Sequence, residues 1–323
     1  MAQETMKAMK ILVAVDGSEC GLAAVENTGR MPWPAETSVE VLAVAEIPTP
    51  TLPWSMPLPS GNFETWERIF EERATAQTAQ ALERFNEVNL GRCEVKARTL
   101  RGSAREAILG EADHIDADLI VLGTHGYNAF ERFWLGSVSR AVAAHARCSV
   151  RIVRHKEARD SGKTRILLAV DGSVFGERAA AAIAARPWPE NTEIKVISVI
   201  HLPFTPTPET WALPESYYSE LERAGREQAR EAIDRALALL AGAVSTAGTP
   251  LPISSEPIVG HAEDRIIETA KSWEADLIVV GSHGRSGWKR FLLGSVSHAV
   301  VSHAPCSVEI VRFPEDQTET HQS

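Results

Sequence analysis

Two stretches of the chain carry glycines and a hydroxyl at a spacing suited to holding an anion. GTHGYNAFERFWLGS occupies 123–137 and GSHGRSGWKRFLLGS occupies 281–295; each reads Gly, two residues, Gly, nine residues, Gly-Ser. At Gly123, Gly126, Gly281 and Gly284 the missing Cβ would let backbone amides approach a bound group. Gly136-Ser137-Val138 and Gly294-Ser295-Val296 open helical patterns, whose first N–H groups lack intrahelical partners and carry the positive end of the dipole. A phosphate fits such an end, and the serine either caps the helix or meets the anion. One copy alone reads equally well as a turn and a helix start. Two copies with every spacing kept favour an anion or nucleotide site.

An acidic residue stands beside each loop. Asp16 and Asp171 close the apolar runs of ILVAVDGS (11–18) and ILLAVDGS (166–173). A carboxylate there suits a ribose hydroxyl or a magnesium ion, or braces a helix start. The second loop adds Arg285, Lys289 and Arg290, whereas the comparable part of the first offers Arg132 and has Tyr127-Asn128 after its second glycine. His125 and His283 lie inside the loops with no paired nucleophile or carboxylate, so a loop-stabilising role is preferred to a catalytic one. SGKT at 161–164 resembles the tail of a phosphate-binding loop, but Glu157 stands where its first glycine belongs and a strand follows it.

These residues sit in a chain that is written twice. PWP at 32–34 returns at 187–189, DADLIVLGTHG at 116–126 matches EADLIVVGSHG at 274–284, and RFWLGSVSRAVAAHARCSVRIVR at 132–154 matches RFLLGSVSHAVVSHAPCSVEIVR at 290–312. A period of about 155 residues makes each copy a whole domain, and the charged HKEARDSGKTR reads as the linker between domains 1–155 and 163–323. Within a copy, apolar β-branched runs alternate with segments of helical period, which implies a parallel sheet covered on both faces. Each second strand leads into a proline-rich stretch, 47–62 and 201–216, whose density of Pro forbids regular structure. Trp33 and Trp188 in the PWP motifs read as packing anchors at a helix end.

Composition excludes several alternatives. The 323 residues are 44% hydrophobic and 24% charged, as in a globular protein, and the net charge of −10 is unsuited to general nucleic-acid binding. No apolar run reaches the roughly 18 residues that span a bilayer, and the N-terminus lacks a signal-peptide pattern. The four cysteines form no CxxC pair, so buried thiols in a reducing cytoplasm are expected.

Taken together, the strand-ending Asp-Gly-Ser, the Gly-x2-Gly-x9-Gly-Ser loop and the fivefold strand–helix order resemble the universal stress proteins in their tandem form, over residues 8–155 and 163–313. The resemblance implies two tandem open α/β sheets, each of five parallel strands in the order 3-2-1-4-5 flanked by helices, Rossmann-like and akin to the adenine nucleotide hydrolases. It implies ATP, with Mg2+, held by Gly123, Gly126, Gly136, Ser137 and Val138 in one half. Gly281, Gly284, Gly294, Ser295 and Val296 would do so in the other. Adenine would lie near Val15, Val44 and Leu122, or near Val170, Val199 and Val280, with Asp16 or Asp171 across the crevice. The function so implied is a cytoplasmic, nucleotide-gated stress-response regulator. A slow ATPase or an ATP-using enzyme of similar fold, and an interaction module that binds no nucleotide, are the alternatives.

The last strands, SVRIV (149–153) and SVEIV (307–311), would be bare sheet edges, and such edges seek partners. Members of the family commonly pair through this strand. The two halves are therefore expected to pack as an internal pseudo-dimer, and further homodimerisation is open. Small-angle scattering should return a compact particle; two independently moving beads would contradict the expectation.

Overall fold

The structure is a computed structural model, and it describes residues 6–46, 63–89, 92–124, 135–154, 162–201, 215–284 and 293–313. The chain divides into two compact units, Ala8–His155 and Lys156–Ser323 with Met1–Lys7.

In the first unit the order is β1 (Lys10–Val15), α1 (Glu19–Arg30), β2 (Ser38–Ala45), α2 (Phe63–Asn89), β3 (Glu94–Arg101), α3 (Ala104–His114), β4 (Leu119–Gly123), α4 (Ser137–His145) and β5 (Ser149–Val153). The strands are parallel and pair as β3-β2-β1-β4-β5. In the second unit the order is β6 (Thr164–Ala169), α5 (Val174–Ala184), β7 (Thr192–Ile200), α6 (Glu215–Leu240), β8 (Ile253–Val259), α7 (Ala262–Ser272), β9 (Leu277–Gly281), α8 (Ser295–His303) and β10 (Ser307–Val311). Its strands pair as β8-β7-β6-β9-β10, again all parallel. Each unit is thus the doubly wound 3-2-1-4-5 arrangement that the sequence pattern implies. Thr164 opens a strand, so SGKT does not enter a helix as a phosphate loop would. The proline-rich stretches 47–62 and 202–214 lie outside the described residues.

The continuous apolar runs explain the central strands. Ile11, Leu12 and Val13 are wholly buried, as are Ile166, Leu167 and Leu168. α1 packs on α2 and α3 on α4, with the same pairing for α5 with α6 and α7 with α8. Right-handed crossovers that leave the first strand in opposite directions put the two helix pairs on opposite faces. At the amino edge, Asp118 accepts the Lys10 N–H at 2.9 Å and Asp276 accepts the Arg165 N–H at 2.9 Å, which sets β1 against β4 and β6 against β9. The tryptophans are anchors: the Trp33 indole donates to the Thr28 carbonyl and that of Trp188 to the Ile183 carbonyl, each at 2.8 Å. Arg186, stacked 4.6 Å from the Trp188 ring, forks onto both Glu309 oxygens at 2.8 and 2.9 Å in the buried interior.

One feature of the first unit works against its stability. Glu40 of β2 stands near Glu111, which is buried and bonded to Arg98 at 2.6 Å. Burial, and then the Glu111 charge, push the Glu40 carboxyl above the usual carboxylate range. A carboxyl whose folded pKa is raised favours the fold in its protonated form. Stability is therefore gained as pH falls through the raised pKa toward the unfolded value, and at neutral pH the ionised group is a cost. Glu40→Gln should accordingly raise the melting temperature at pH 7 by roughly 2 °C, and the gain should shrink as pH approaches 4. A thermal melt series across that range checks it.

Candidate functional site

At the carboxyl end of β1 the chain must leave the sheet and start α1. Asp16 Oδ1 accepts both the Ser18 N–H at 3.0 Å and the Ser18 hydroxyl at 2.6 Å. Ser18 in turn is the N-cap of α1 and accepts the Gly21 N–H at 3.1 Å. The second unit repeats the relay: Asp171 Oδ1 takes the Ser173 N–H at 3.0 Å and hydroxyl at 2.6 Å, and Ser173 takes the Gly176 N–H at 3.3 Å. Gly17 and Gly172 between them have φ of +78° and +81°, which L side chains rarely adopt. One oxygen of each aspartate is thus committed to bracing a helix cap.

The neighbouring strand comes very close. A methyl group at Gly123 would lie 2.5 Å from the backbone carbon and oxygen of Cys20, and one at Gly281 would lie 2.7 Å from the Phe175 carbonyl carbon. The first glycine of each loop therefore makes room for the first turn of α1 or α5, an internal backbone contact that the spacing alone does not reveal. Gly284 has the other role: a Cβ there would come 2.8 Å from Asp171 Oδ2, so the loop backbone passes directly beside the carboxylate. Gly294 is also confined, 3.3 Å from the Ser282 oxygen and 3.4 Å from the His283 Cα as a Cβ would meet them.

The loop's far end is tied back to its start. Gly136 N–H donates to the Thr124 carbonyl at 2.7 Å and Gly294 N–H to the Ser282 carbonyl at 2.9 Å. Gly136 and Gly294 are the N-caps of α4 and α8, and no side chain caps either helix. Ser137 and Ser295 are exposed, and Val138 and Val296 are partly so. The first-turn amides of both helices are thus left without a side-chain cap at the positive end of the dipole.

Of the hydrophobic residues assigned to adenine, Val15, Leu122, Val170 and Val280 are core residues, 7%, 4%, 6% and 4% exposed. Val44 and Val199, late in β2 and β7, keep partly open surfaces. The strand registers Ala14↔Leu122 and Ala169↔Val280 bring Val15 level with Gly123 and Val170 level with Gly281, so Asp16 and Asp171 stand one residue beyond those glycines at the carboxyl edge of each sheet. Gly126, Arg285 and Lys289 lie outside the described residues.

Several supporting residues carry no signal in a search for ligand chemistry. Ser139 and Ser297, both buried, donate to the Gly123 and Gly281 carbonyls at 2.7 Å, locking helix start to strand end. The second serine of the twice-repeated GSVS is their only mark in the sequence. Gln77 of α2 donates to the Asp16 carbonyl at 2.6 Å, and Arg235 of α6 donates to the Gly172 carbonyl at 3.2 Å while pairing with Glu177 at 2.9 Å. His283 lies against Phe175, ring centroids 5.2 Å apart at a tilt of 47°, and its Nδ1 lies 3.2 Å from the Ser282 hydroxyl, a loop-holding arrangement. Cys20, partly exposed, accepts from the Thr124 hydroxyl at 3.7 Å, whereas Cys93, Cys148 and Cys306 are buried free thiols.

An open parallel sheet with a glycine loop and an uncapped helix start at its switch point defines a class of α/β proteins that bind ligands at the carboxyl edge. The sequence profile of the universal stress protein family matches residues 7–154 and again 163–312, and the chain belongs to that family, in tandem form. Universal stress proteins of Mycobacterium tuberculosis are similar at two levels. One is 29% identical over 211 residues, 61% of this chain and 62% of its own length. Another is 26% identical over 326 residues, 98% of both chains. The crystal structure of a universal stress protein from Archaeoglobus fulgidus shares the fold, with a TM-score of 0.60 at 18% identity over 97% of this chain and 99% of that one. A universal stress protein solved in complex with cAMP is 27% identical over 47% of this chain and 98% of its own, with a TM-score of 0.28.

The close glycine contacts make a direct prediction. Gly123→Ala and Gly281→Ala force backbone apart at the strand–helix junction, so each should lower unfolding free energy by about 1–3 kcal/mol. Urea denaturation checks this, and unchanged midpoints would mean that the junction yields freely.

Proposed function

We propose that the chain binds an adenine nucleotide, ATP with Mg2+, in each half and acts as a nucleotide-dependent regulatory module. The observation that carries the reading is the cradle of the second unit. There the uncapped start of α8 is drawn against Ser282–Gly284, and glycine stands wherever a Cβ would fill the space. A phosphate group suits that cradle, since its oxygens meet outward N–H groups at the positive end of a helix. Ser295 and Val296 amides would hold it there, with Ser137 and Val138 in the first half. Asp171 and Asp16 would face the ribose or the metal ion with the carboxylate oxygen not spent on serine. Val199 and Val44 offer the apolar surface for the base.

A binding role is favoured over turnover by the chemistry of these groups. One oxygen of each aspartate braces a helix cap and the other is assigned to the ribose or metal, while His283 lies tilted against Phe175 with Nδ1 beside Ser282, so neither is taken as a general base. Mg2+ would supply charge neutralisation of the phosphates. The slow-ATPase reading gains if hydrolysis is sustained over many turnovers and is lost with one substitution at the site.

Isothermal titration with ATP and Mg2+, paired with a phosphate-release assay, tests the proposal. Two binding events with negligible release are expected, the tighter one in the second half, whose sequence carries Arg285 and Lys289 as candidates for charge-assisted contacts. Each such contact is worth on the order of 1–2 kcal/mol, roughly tenfold in affinity. Gly294→Val should remove the tighter phase by driving its side chain into Ser282 and His283. Gly136→Val should spare that phase. Equal losses from the two would mean that loop charge does not set affinity.

A further inference from the structure

Two histidines stand outside the candidate nucleotide cradle and outside every role assigned above. His201 follows β7 and His261 precedes α7; both are exposed, and their ring centroids lie 5.1 Å apart at a tilt of 51°. Their backbones are held in fixed relation. Ile200 is in register with Val259, and the Gly260 N–H donates to the Ile200 carbonyl at 3.0 Å. Gly260 has φ of +148°, and its bare Cα leaves space for Arg265, whose Nε donates to the Val259 carbonyl at 3.0 Å. Each imidazole is thus presented from a pinned strand end beside the other, and neither makes a hydrogen bond among the described residues.

We propose that His201 and His261 form a two-imidazole chelate for a borderline divalent transition-metal ion, Zn2+ being the representative case. Imidazole nitrogens bind zinc at about 2.0–2.1 Å, so two rings ligating at a near-tetrahedral angle have centroids roughly 5 Å apart. The observed separation therefore needs rotation of side chains only. Neutral imidazole selects zinc, nickel or copper over the magnesium that accompanies nucleotides. No third His, Cys, Asp or Glu joins the pair among the described residues, so water completes the coordination. The first half carries an internal contrast. Its corresponding positions are Glu46 and Ser103, and Glu46 instead accepts the Ala104 N–H at 3.4 Å at the start of α3.

The test uses the full chain and Zn2+ alone, without nucleotide, so that it stands apart from the nucleotide reading. Equilibrium dialysis should show one more zinc bound per wild-type chain than per His201→Gln/His261→Ser double variant. Each single variant should weaken that zinc at least as much as loss of a ligand's outer-shell support does, roughly tenfold. His145→Gln, an exposed histidine of α4, is the control and should bind as wild type does. Melting curves without zinc should be the same for all five proteins, since the altered side chains are exposed. Zinc uptake undiminished in the double variant, or diminished equally in the control, would overturn the site.

Discussion

The architecture of each half turns on one close approach, between the last residue of its fourth strand and the first turn of the helix that follows its first strand. Because β1 and β4 are neighbours in parallel register, the chain leaving β1 must cross the end of β4 to begin α1. Gly123 permits that crossing at a separation no side chain could share with Cys20, and Gly281 does the same beneath Phe175. The same glycine's carbonyl then receives the hydroxyl of a serine sixteen residues on, Ser139 or Ser297. Strand end, helix α1 and helix α4 are thereby fixed to one another at a single point. The loop between strand and helix is held at both ends, and the uncapped amides of α4 and α8 are aimed rather than free to fray.

Much of this was legible in the sequence, for definite physical reasons. Strands such as ILVAV and DLIVLG announce themselves because a parallel sheet buried on both faces needs unbroken apolar runs. The repeat exposed the domain plan, and the strand order followed once the pattern was matched to a family. The site was legible only in outline. Glycine has at least two uses here, and spacing cannot separate them: Gly281 admits a helix, whereas Gly284 admits the approach of loop to Asp171. Nor does spacing reveal Gln77 and Arg235, which reach the Asp-Gly-Ser turn from helices more than sixty residues away in the chain. A hydrogen bond from a long side chain to a distant carbonyl leaves no periodicity to read.

The two halves keep this junction and diverge in how they place charge. Glu40 of β2 corresponds to Lys195 of β7, which pairs with Glu256 at 3.1 Å instead of crowding a second carboxylate. Arg151 of β5 corresponds to Glu309 of β10. Arg151 rests 5.3 Å from the Trp33 ring and donates to Asn27 at 3.3 Å, while Glu309 receives Arg186. Buried ions of this kind demand a partner or an aromatic face, since removing one member leaves an uncompensated charge. Substitution at these places proceeds by replacing a whole local arrangement. The glycine junction has no such alternative, because only the absence of a Cβ meets the steric condition.

The acid beside the cradle raises an electrostatic question that bears on what the site can hold. A helix start attracts an anion, yet Asp171 presents Oδ2 toward the loop at Gly284, within the space any bound phosphate would influence. Two negative groups so close repel, and a cation placed between them relieves the repulsion. The other Asp171 oxygen is already engaged, accepting the Ser173 N–H at 3.0 Å and hydroxyl at 2.6 Å. On the proposed reading, a hard divalent cation would be shared between carboxylate and phosphate oxygens, the arrangement magnesium favours with one or two carboxylates and substrate phosphates. Read that way, the site would discriminate against a bare anion and favour a metal–phosphate complex. That is the physical argument for a nucleotide with its cation over free phosphate at the same helix.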